Sequence, residues 1–412
     1  MSDTATLDRF SSPDVKVAPE IGYALFDADS HYYEPEDALT RHLPKEWRRR
    51  GPKWAEINGR KRLILGDQVF NYIPNSTFDP IAKPGCAHDY FAAKLGGKSL
   101  VEVMGDLEPI ANRPEYRDRD ARIKVMNEQG VGATWLFPTL AVGLEVSWKH
   151  DPEAFRAVLR AFNRWLVDDW GMAYQDRIFG IPVITLGDPA WALEEVEWAI
   201  KQGARIISLR NGPIYTSAGT TSPGAPEYDP IWARCEEAGI VVAPHAGDDG
   251  YDFLGAMWEP WSDRSGFHVT PLQKCVTSQR AVPDFFAAVF CHKVFERFPR
   301  LRMASVENGA AWVAPLLTRL YRGYAQVKGY YQKNPVDQFH EHLWVTPFWE
   351  DNLDDLSKVM PVERIIFGSD WPHVEGVEKP VDFFKEVKNF SPEDQRKIMR
   401  ENVAALTATA NV

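Results

Sequence analysis

The sequence predicts an α/β fold, a (β/α)8 or TIM barrel with one long insertion after strand one and another after strand five. Three observations predict it. Short, wholly apolar runs recur along the chain, amphipathic helix-like segments separate them, and polar side chains able to hold a metal fall at the ends of several runs. Runs that are apolar throughout suit strands buried on both faces.

The runs follow in order. "GYALFDADSH" (22–31) is the first strand, "GVGATWLFPT" (130–139) the second and "RIFGIPVITL" (177–186) the third. "ARIISLR" (204–210), "GIVVAPHAG" (239–247) and "LRMASVENG" (301–309) supply the fourth to sixth, "HLWVTPFW" (342–349) the seventh and "RIIFGSDWPH" (364–373) the eighth. Between them, 151–174 and 188–203 read as helices. The second begins with Asp188 as N-cap and Pro189 at the first helical position, and Gly203 stops it. The last helix, 391–406, opens on Ser391 and Pro392. An open doubly wound sheet is the rival arrangement, but no glycine-rich phosphate turn follows any run.

About ninety-five residues separate the first two strands. Within them, "WAEINGRKRLILGDQVFNYIP" alternates polar and apolar residues around "NG" and "GD", the pattern of a hairpin or small meander. Such an excursion leaves the first βα loop, on the face where barrel sites lie, so 32–128 is expected to form a lid or pocket wall. A second excursion, 246–280, carries Phe253, Trp258, Trp261 and Phe267. Residues 1–21 read as a flexible lead-in, and 22–412 as one domain.

Composition excludes several classes of function. The net charge of −11 argues against nucleic acid, whose phosphates need a basic face. No apolar run has membrane-spanning length, and the N-terminus lacks signal-peptide order. The four cysteines (Cys86, Cys235, Cys275, Cys291) show no CxxC spacing, which points to a reducing cytoplasm.

In a barrel the C-terminal strand ends surround one pocket. Strand one ends in Asp29 and His31, strand four in Arg210, strand five in His245, strand six in Glu307, and strand eight in Asp370 with His373 three residues on. Two aspartates and two histidines form a ligand set for one divalent ion: Zn2+ first, with Mn2+ or Fe2+ also suited. The expected metal ligands are Asp29, His31, His245 and Asp370. Asp27 is expected to hydrogen-bond around the site instead. His292, inside the helix-like 282–298, is a substrate-binding candidate beside Arg210 and His373; packing in its helix is the bland alternative.

At these residues the sequence resembles the amidohydrolase-related family of metal-dependent enzymes, the branch that includes aminocarboxymuconate-semialdehyde and resorcylate decarboxylases. The stretches "DADSHYYEP", "GARIISLR", "APHAG", "VFERFPRLRMASVENGAAW" and "RIIFGSDWPHVEG" carry the resemblance. It implies a distorted barrel, one divalent metal, and ligand roles for Asp29, His31, His245 and Asp370. There is one departure: family decarboxylases carry a catalytic histidine at the end of strand six, where this chain has Glu307. A glutamate there accepts a proton from water, becomes a further metal ligand, or acts as an acid only if burial raises its pKa.

Two chemistries follow. The first is non-oxidative decarboxylation of an aromatic or unsaturated acid, with Asp370 as proton donor and Arg210 pairing with a substrate anion. The second is hydrolysis of a C–N, C–O or C–C bond by metal-activated water, with Asp370 or Glu307 as general base. A barrel that binds ligand without chemistry is the third, disfavoured by the presence of proton donors. Aromatics near the rim favour a small-molecule substrate with a ring or hydrophobic body and a polar end. The apolar stretch 310–324 is expected to join copies into a homodimer or larger assembly.

Overall fold

The computed structural model describes residues 9–91, 99–260 and 270–408. Its strands are β1 (Leu25–Tyr32), β2 (Lys53–Ile57), β3 (Arg60–Leu65), β4 (Gln68–Val69), β5 (Val131–Pro138), β6 (Ile178–Gly180), β7 (Ile206–Arg210), β8 (Ile214–Thr216), β9 (Gly219–Thr221), β10 (Val241–His245), β11 (Arg302–Ser305) and β12 (Leu343–Val345). The apolar runs pair in parallel as two sheets, ordered β1-β5-β6 and β12-β11-β10-β7. Every residue of β1, β5, β7 and β10 is buried, as their unbroken hydrophobic character requires.

The third and eighth runs differ from expectation. Only Ile178–Gly180 of the third is a regular strand, because Pro182 brings no N–H to the ladder. Its continuation still bonds to β7, through Ile184 N to Ser208 O and Ser208 N to Pro182 O. The eighth forms no regular strand. It bonds on one side to β12 (Ile366 N to Val345 O) and on the other to β1 (Ala28 N to Phe367 O, His31 N to Trp371 O).

Helices follow the strands. Pro189–Lys201 begins as its sequence dictates, with the Asp188 carboxylate accepting from Ala190 and Trp191 N–H, and Gly203 turns the chain away at φ +88°. The other long helices are Arg119–Glu128, Pro152–Asp169, Asp229–Ala238, Ala281–Cys291 and Val313–Gln326. Their apolar faces pack on the outer side of the strands. A second buried cluster, the inner cluster (Phe26, Ala28, Phe137, Phe179, Val241, Ala243, Ala304 and Ile366 among others), draws on residues of both sheets.

Phe10 belongs to that inner cluster. It is 2% exposed, and its ring lies 5.2 Å from Phe26 and 5.7 Å from Phe179. The expectation of a flexible lead-in therefore fails from Arg9 onward: an aromatic ring buried against two others outweighs the entropy of ordering a short segment. Residues 1–8 lie outside the described residues.

The first excursion contains the expected meander, β2 to β4, paired antiparallel. Further along, Gly85 and Ala87 donate their N–H groups to the carbonyls of His373 and Val374, both at 2.9 Å. The second excursion holds helices Asp252–Ala256 and Pro271–Thr277. Phe253 and Trp258 are exposed there, while Trp261 and Phe267 lie outside the described residues. In Val313–Gln326 the residues Val313, Leu316, Leu317 and Leu320 face the core, leaving Tyr321 and Tyr324 as its exposed aromatics. Among the described residues, no helix is long and apolar enough to cross a membrane.

Candidate metal centre

Strand β1 places the first two side chains, and an irregularity decides where they point. Between Asp27 and Ser30 the pairing with β5 slips: three steps on β1 match two on β5, from Thr134 to Leu136. Such a bulge switches which side chains face a given side. Phe26 and Ala28 belong to the inner cluster, and after the slip Asp29 and His31 reach that same interior. His245 continues the inner column of Val241 and Ala243 on β10, with its ring 4.2 Å from Phe137. Glu307 and Asp370 close the ring of side chains from beyond β11 and the eighth run. Both hold φ of 55°, a region that costs a residue with a Cβ and that concentrates at functional sites.

The atoms converge closely. His31 Nε2 lies 3.3 Å from Asp29 Oδ1, 3.2 Å from Glu307 Oε2 and 3.4 Å from Asp370 Oδ1. His245 Nε2 lies 3.4 Å from Asp29 Oδ1 and 3.3 Å from Glu307 Oε2. Each ring is oriented from behind by a carbonyl: His31 Nδ1 faces Pro138 O at 3.2 Å and His245 Nδ1 faces Ala246 O at 2.7 Å. A carbonyl only accepts, so both Nδ1 atoms carry hydrogen and both Nε2 atoms turn to the cluster. His31 Nε2 and Asp370 Oδ1 are buried without a hydrogen-bond partner. Buried polar atoms of this kind need a counterpart, and a donor set of imidazole nitrogens and carboxylate oxygens fits a divalent transition metal.

Asp27 does not face this cluster. Its carboxylate accepts from Ser369 N, Ser369 Oγ and Asp29 N, fastening the eighth run to β1. His373 does join it. Its Nδ1 is 2.6 Å from Asp370 Oδ1 and its ring stacks on His31 at 4.0 Å. Its tautomer follows from its neighbours. The Thr139 hydroxyl gives its one hydrogen to Tyr32 O at 2.8 Å, so at 3.0 Å it accepts from His373 Nε2–H. The neutral ring then presents a bare Nδ1 to Asp370.

Charge crowding sets the protonation states of the metal-free cluster. Burial lowers the pKa of His31, but hydrogen bonds and charge from Asp29 and Glu307 outweigh this and raise it to about 10. Burial raises Asp29, yet His245 and His31 pull it below the usual carboxylate range. Burial, then repulsion by Glu307, Glu375, Asp29 and Asp27, pushes Asp370 well above that range. Burial and the neighbouring His31 and His245 hold His373 well below the ordinary imidazole value. Asp370 as a carboxylic acid and His373 as a neutral base agree with the tautomer that Thr139 imposes.

Two sequence candidates lie elsewhere. Arg210 spends its guanidinium inside the protein, donating to Asp249 O at 2.7 Å and to Pro213 O, with Nε 3.7 Å from Glu145 and Tyr215 under its plane. No fork remains for a substrate anion; the loops after β7 and β10 take its donors because their carbonyls are buried beside it. His292 caps the helix Ala281–Cys291, its Nδ1 2.7 Å from Ser222 Oγ, and holds the turn at 222–224. It is an exposed histidine at the helix's C-terminal end, outside the cluster.

Other supporting residues escaped the sequence reading. Arg122, fully buried, donates to the carbonyls of His31 and Glu115 and stacks on Trp371 at 4.5 Å. Glu34, in "YYEP", accepts from Leu140 and Ala141 N–H, and burial pushes its pKa up to about 7. Tyr72, from the end of the meander, reaches the rim, where burial followed by the charge of Asp248 and Glu307 raises its pKa well above the usual phenol value. Thr139 lies just past a strand and carries no sequence signal of its own.

Comparison with known proteins places this geometry. The amidohydrolase family's model matches residues 27–406. An amidohydrolase from Mycobacterium avium subsp. paratuberculosis K-10 is 40% identical, with 94% of this chain and 100% of that one superposed at a TM-score of 0.89. A gamma-resorcylate decarboxylase from Rhodococcus jostii (strain RHA1) is 25% identical over 310 residues, 70% of this chain and 87% of its own. A dihydroxybenzoic acid decarboxylase from Polaromonas sp. JS666, solved with manganese and the inhibitor 2-nitroresorcinol, shares the fold at a TM-score of 0.54 and 20% identity, covering 78% of this chain and 92% of its own.

Proposed function

The chain belongs to the amidohydrolase family, and on that premise we propose that it is a metal-dependent enzyme removing CO2 from an aromatic or unsaturated carboxylic acid without oxidation. The observation that carries this reading is Asp370, a buried carboxyl raised well above its ordinary pKa at the edge of a two-histidine cluster. Decarboxylation needs a proton delivered to carbon, and a buried carboxyl whose pKa burial and neighbouring charge raise is the group placed to carry it. The decarboxylase relative supports the same chemistry.

Asp29, His31 and His245 would hold the ion, with a fourth place within reach of both Glu307 and Asp370. Zn2+ suits the imidazoles, and Mn2+ suits the carboxylates. When bound, such an ion supplies a Lewis acid that anchors the substrate's carboxylate and a neighbouring oxygen. Asp370 gives its proton to the ring or alkene carbon that bears the carboxylate. The bond from that carbon to the carboxylate then breaks, CO2 leaves, and the electron pair stays with the ring. His373, anchored by Thr139, holds Asp370 in place, and solvent returns the proton.

We read the two sheets and the linking 181–184 and 365–371 segments as one distorted (β/α)8 barrel, supported by backbone bonds from those segments to strands on either side. The meander and residues 81–91 serve as a pocket wall within a single domain. Tyr72 and the rings of Trp349 and His88, stacked at 3.6 Å, support a ring-bearing substrate. A homodimer or larger assembly remains proposed, and the cytoplasm the proposed compartment.

Hydrolysis is the second reading, favoured by Glu307, whose carboxylate touches both histidines and keeps 19% of its side chain exposed. A panel of hydroxylated benzoic acids, assayed for CO2 release beside esters, amides and lactones, separates the two. CO2 from at least one acid is expected, falling about 100-fold or more in D370N. Turnover of a hydrolysable substrate with no CO2 from any acid would reverse the assignment.

A further inference from the structure

We propose that Glu34 is a positioning residue of the metal centre: it fixes the segment 138–143, and through that segment it holds the imidazoles of His31 and His373 in place. This rests on the reading of the cluster as a divalent-metal centre. It concerns the frame around the ion and leaves the ligand set as described.

Glu34 stands three residues beyond His31 and is 1% exposed. A carboxyl buried so deeply needs hydrogen-bond partners, and Glu34 finds them in one short stretch of main chain. Leu140 N–H donates to its Oε1 at 2.9 Å and its Oε2 at 3.0 Å, and Ala141 N–H donates to Oε1 at 3.1 Å. These N–H groups lead into the turn Ala141–Gly143, which offers them no acceptor of its own. Glu34 serves them as a helix cap does, but from a strand end far away in sequence.

The segment so fixed carries the backing of two rings. Pro138 O accepts from His31 Nδ1 at 3.2 Å, and Thr139 Oγ1 meets His373 Nε2 at 3.0 Å. Farther along, Val142 closes on the support of a third ring. A Cβ at Gly247 would lie 2.5 Å from Val142 O, and the residue before it, Ala246, is the one whose carbonyl faces His245 Nδ1. Glu34 is itself held. Arg117 donates to the carbonyls of Tyr33 and Glu34 at 3.0 and 3.1 Å, Thr139 to that of Tyr32 at 2.8 Å, and Arg122 to that of His31. Four successive carbonyls, His31 to Glu34, are thus tied by side chains, and the Glu34 carboxyl closes the circuit back onto the segment that steadies the rings. An imidazole whose far nitrogen is held binds an ion better than one free to swing.

The test reads the ion's surroundings in folded protein. Wild type, E34A, E34Q and F10A are stripped with chelator and titrated with Mn2+, free ion being read by electron paramagnetic resonance. Each is also loaded with Co2+, whose visible absorption bands report coordination geometry. E34A should lose about tenfold or more in Mn2+ affinity, with altered Co2+ bands. E34Q keeps an oxygen for both N–H groups and should stay within about threefold of wild type, with wild-type bands. F10A weakens the fold away from the segment and should bind as wild type does. If E34A does not fold, as judged by thermal melting, E34D replaces it, because its carboxyl ends one methylene short of the segment. Wild-type affinity and bands in E34A or E34D overturn the proposal. So does a loss in E34Q as large as that in E34A, which would make charge the agent, or an equal loss in F10A, which would make general stability the agent. Wild type that binds none of Mn2+, Co2+ and Zn2+ overturns the metal centre itself, a result distinct from any variant's.

Discussion

At the scale of single residues, the cluster stores protons that a cation must displace. His31 has a folded pKa of about 10 against an ordinary 6.5, so above pH 6.5 the metal-free fold keeps a proton that the unfolded chain has lost. Its contribution to stability is complete below pH 6.5 and disappears as pH rises through 10. Asp27 and Glu34, raised to about 7 from 3.8 and 4.5, act with the same sign at lower pH. Calorimetry of the metal-free protein should therefore show its melting temperature falling steadily from pH 5 to pH 9. Adding Mn2+ at pH 7.5 in weak buffer should release protons, with indicator dye reading about one per site from His31. The D-x-H pair and the strand-end His245 and Asp370 were legible because metal-capable residues at the ends of apolar runs have few other uses. Arg210 and His292 were misjudged for a common reason. A sequence shows that a polar side chain stands near a strand end or on a helix, but not which buried carbonyls or hydroxyls compete for it.

At the scale of elements, helix signals transferred well and strand lengths did not. Asp188, Pro189 and Gly203 act locally, so their neighbours in sequence suffice to place the helix ends. The β1 slip, the short β6 and the irregular eighth run depend on pairing partners far away in sequence, which no local pattern encodes. Helix Arg119–Glu128 is tied to the site through Arg122, whose loss strands the carbonyls of His31 and Glu115. R122M should be destabilised by about 1–3 kcal/mol for each carbonyl left unpaired, measured by urea unfolding. Its Mn2+ affinity should fall as well, because His31 loses its backbone anchor. The segment before β1 offers a second test. F10A should cost about 3–5 kcal/mol, since it empties an aromatic site at the base of the inner cluster. A freely flexible lead-in would show no change.

At the scale of the whole molecule, the mixed α/β character was readable because apolar runs and the helices between them repeat one supersecondary unit. The insertions were readable only as interruptions, since their contacts lie in the third dimension. A tightly held ion should stabilise the entire chain, by about 2.7 kcal/mol at a free concentration one hundred times its dissociation constant. Chelation should lower the melting temperature by a matching amount, and graded Mn2+ should restore it. The union of Gly85 and Ala87 with the backbone of His373 and Val374 has a wider meaning. The segment around residues 85–87 and the segment that carries Asp370 and His373 are sewn together by two stitches of main chain. A lineage that remodels either strip must preserve those stitches or shift the other at the same moment.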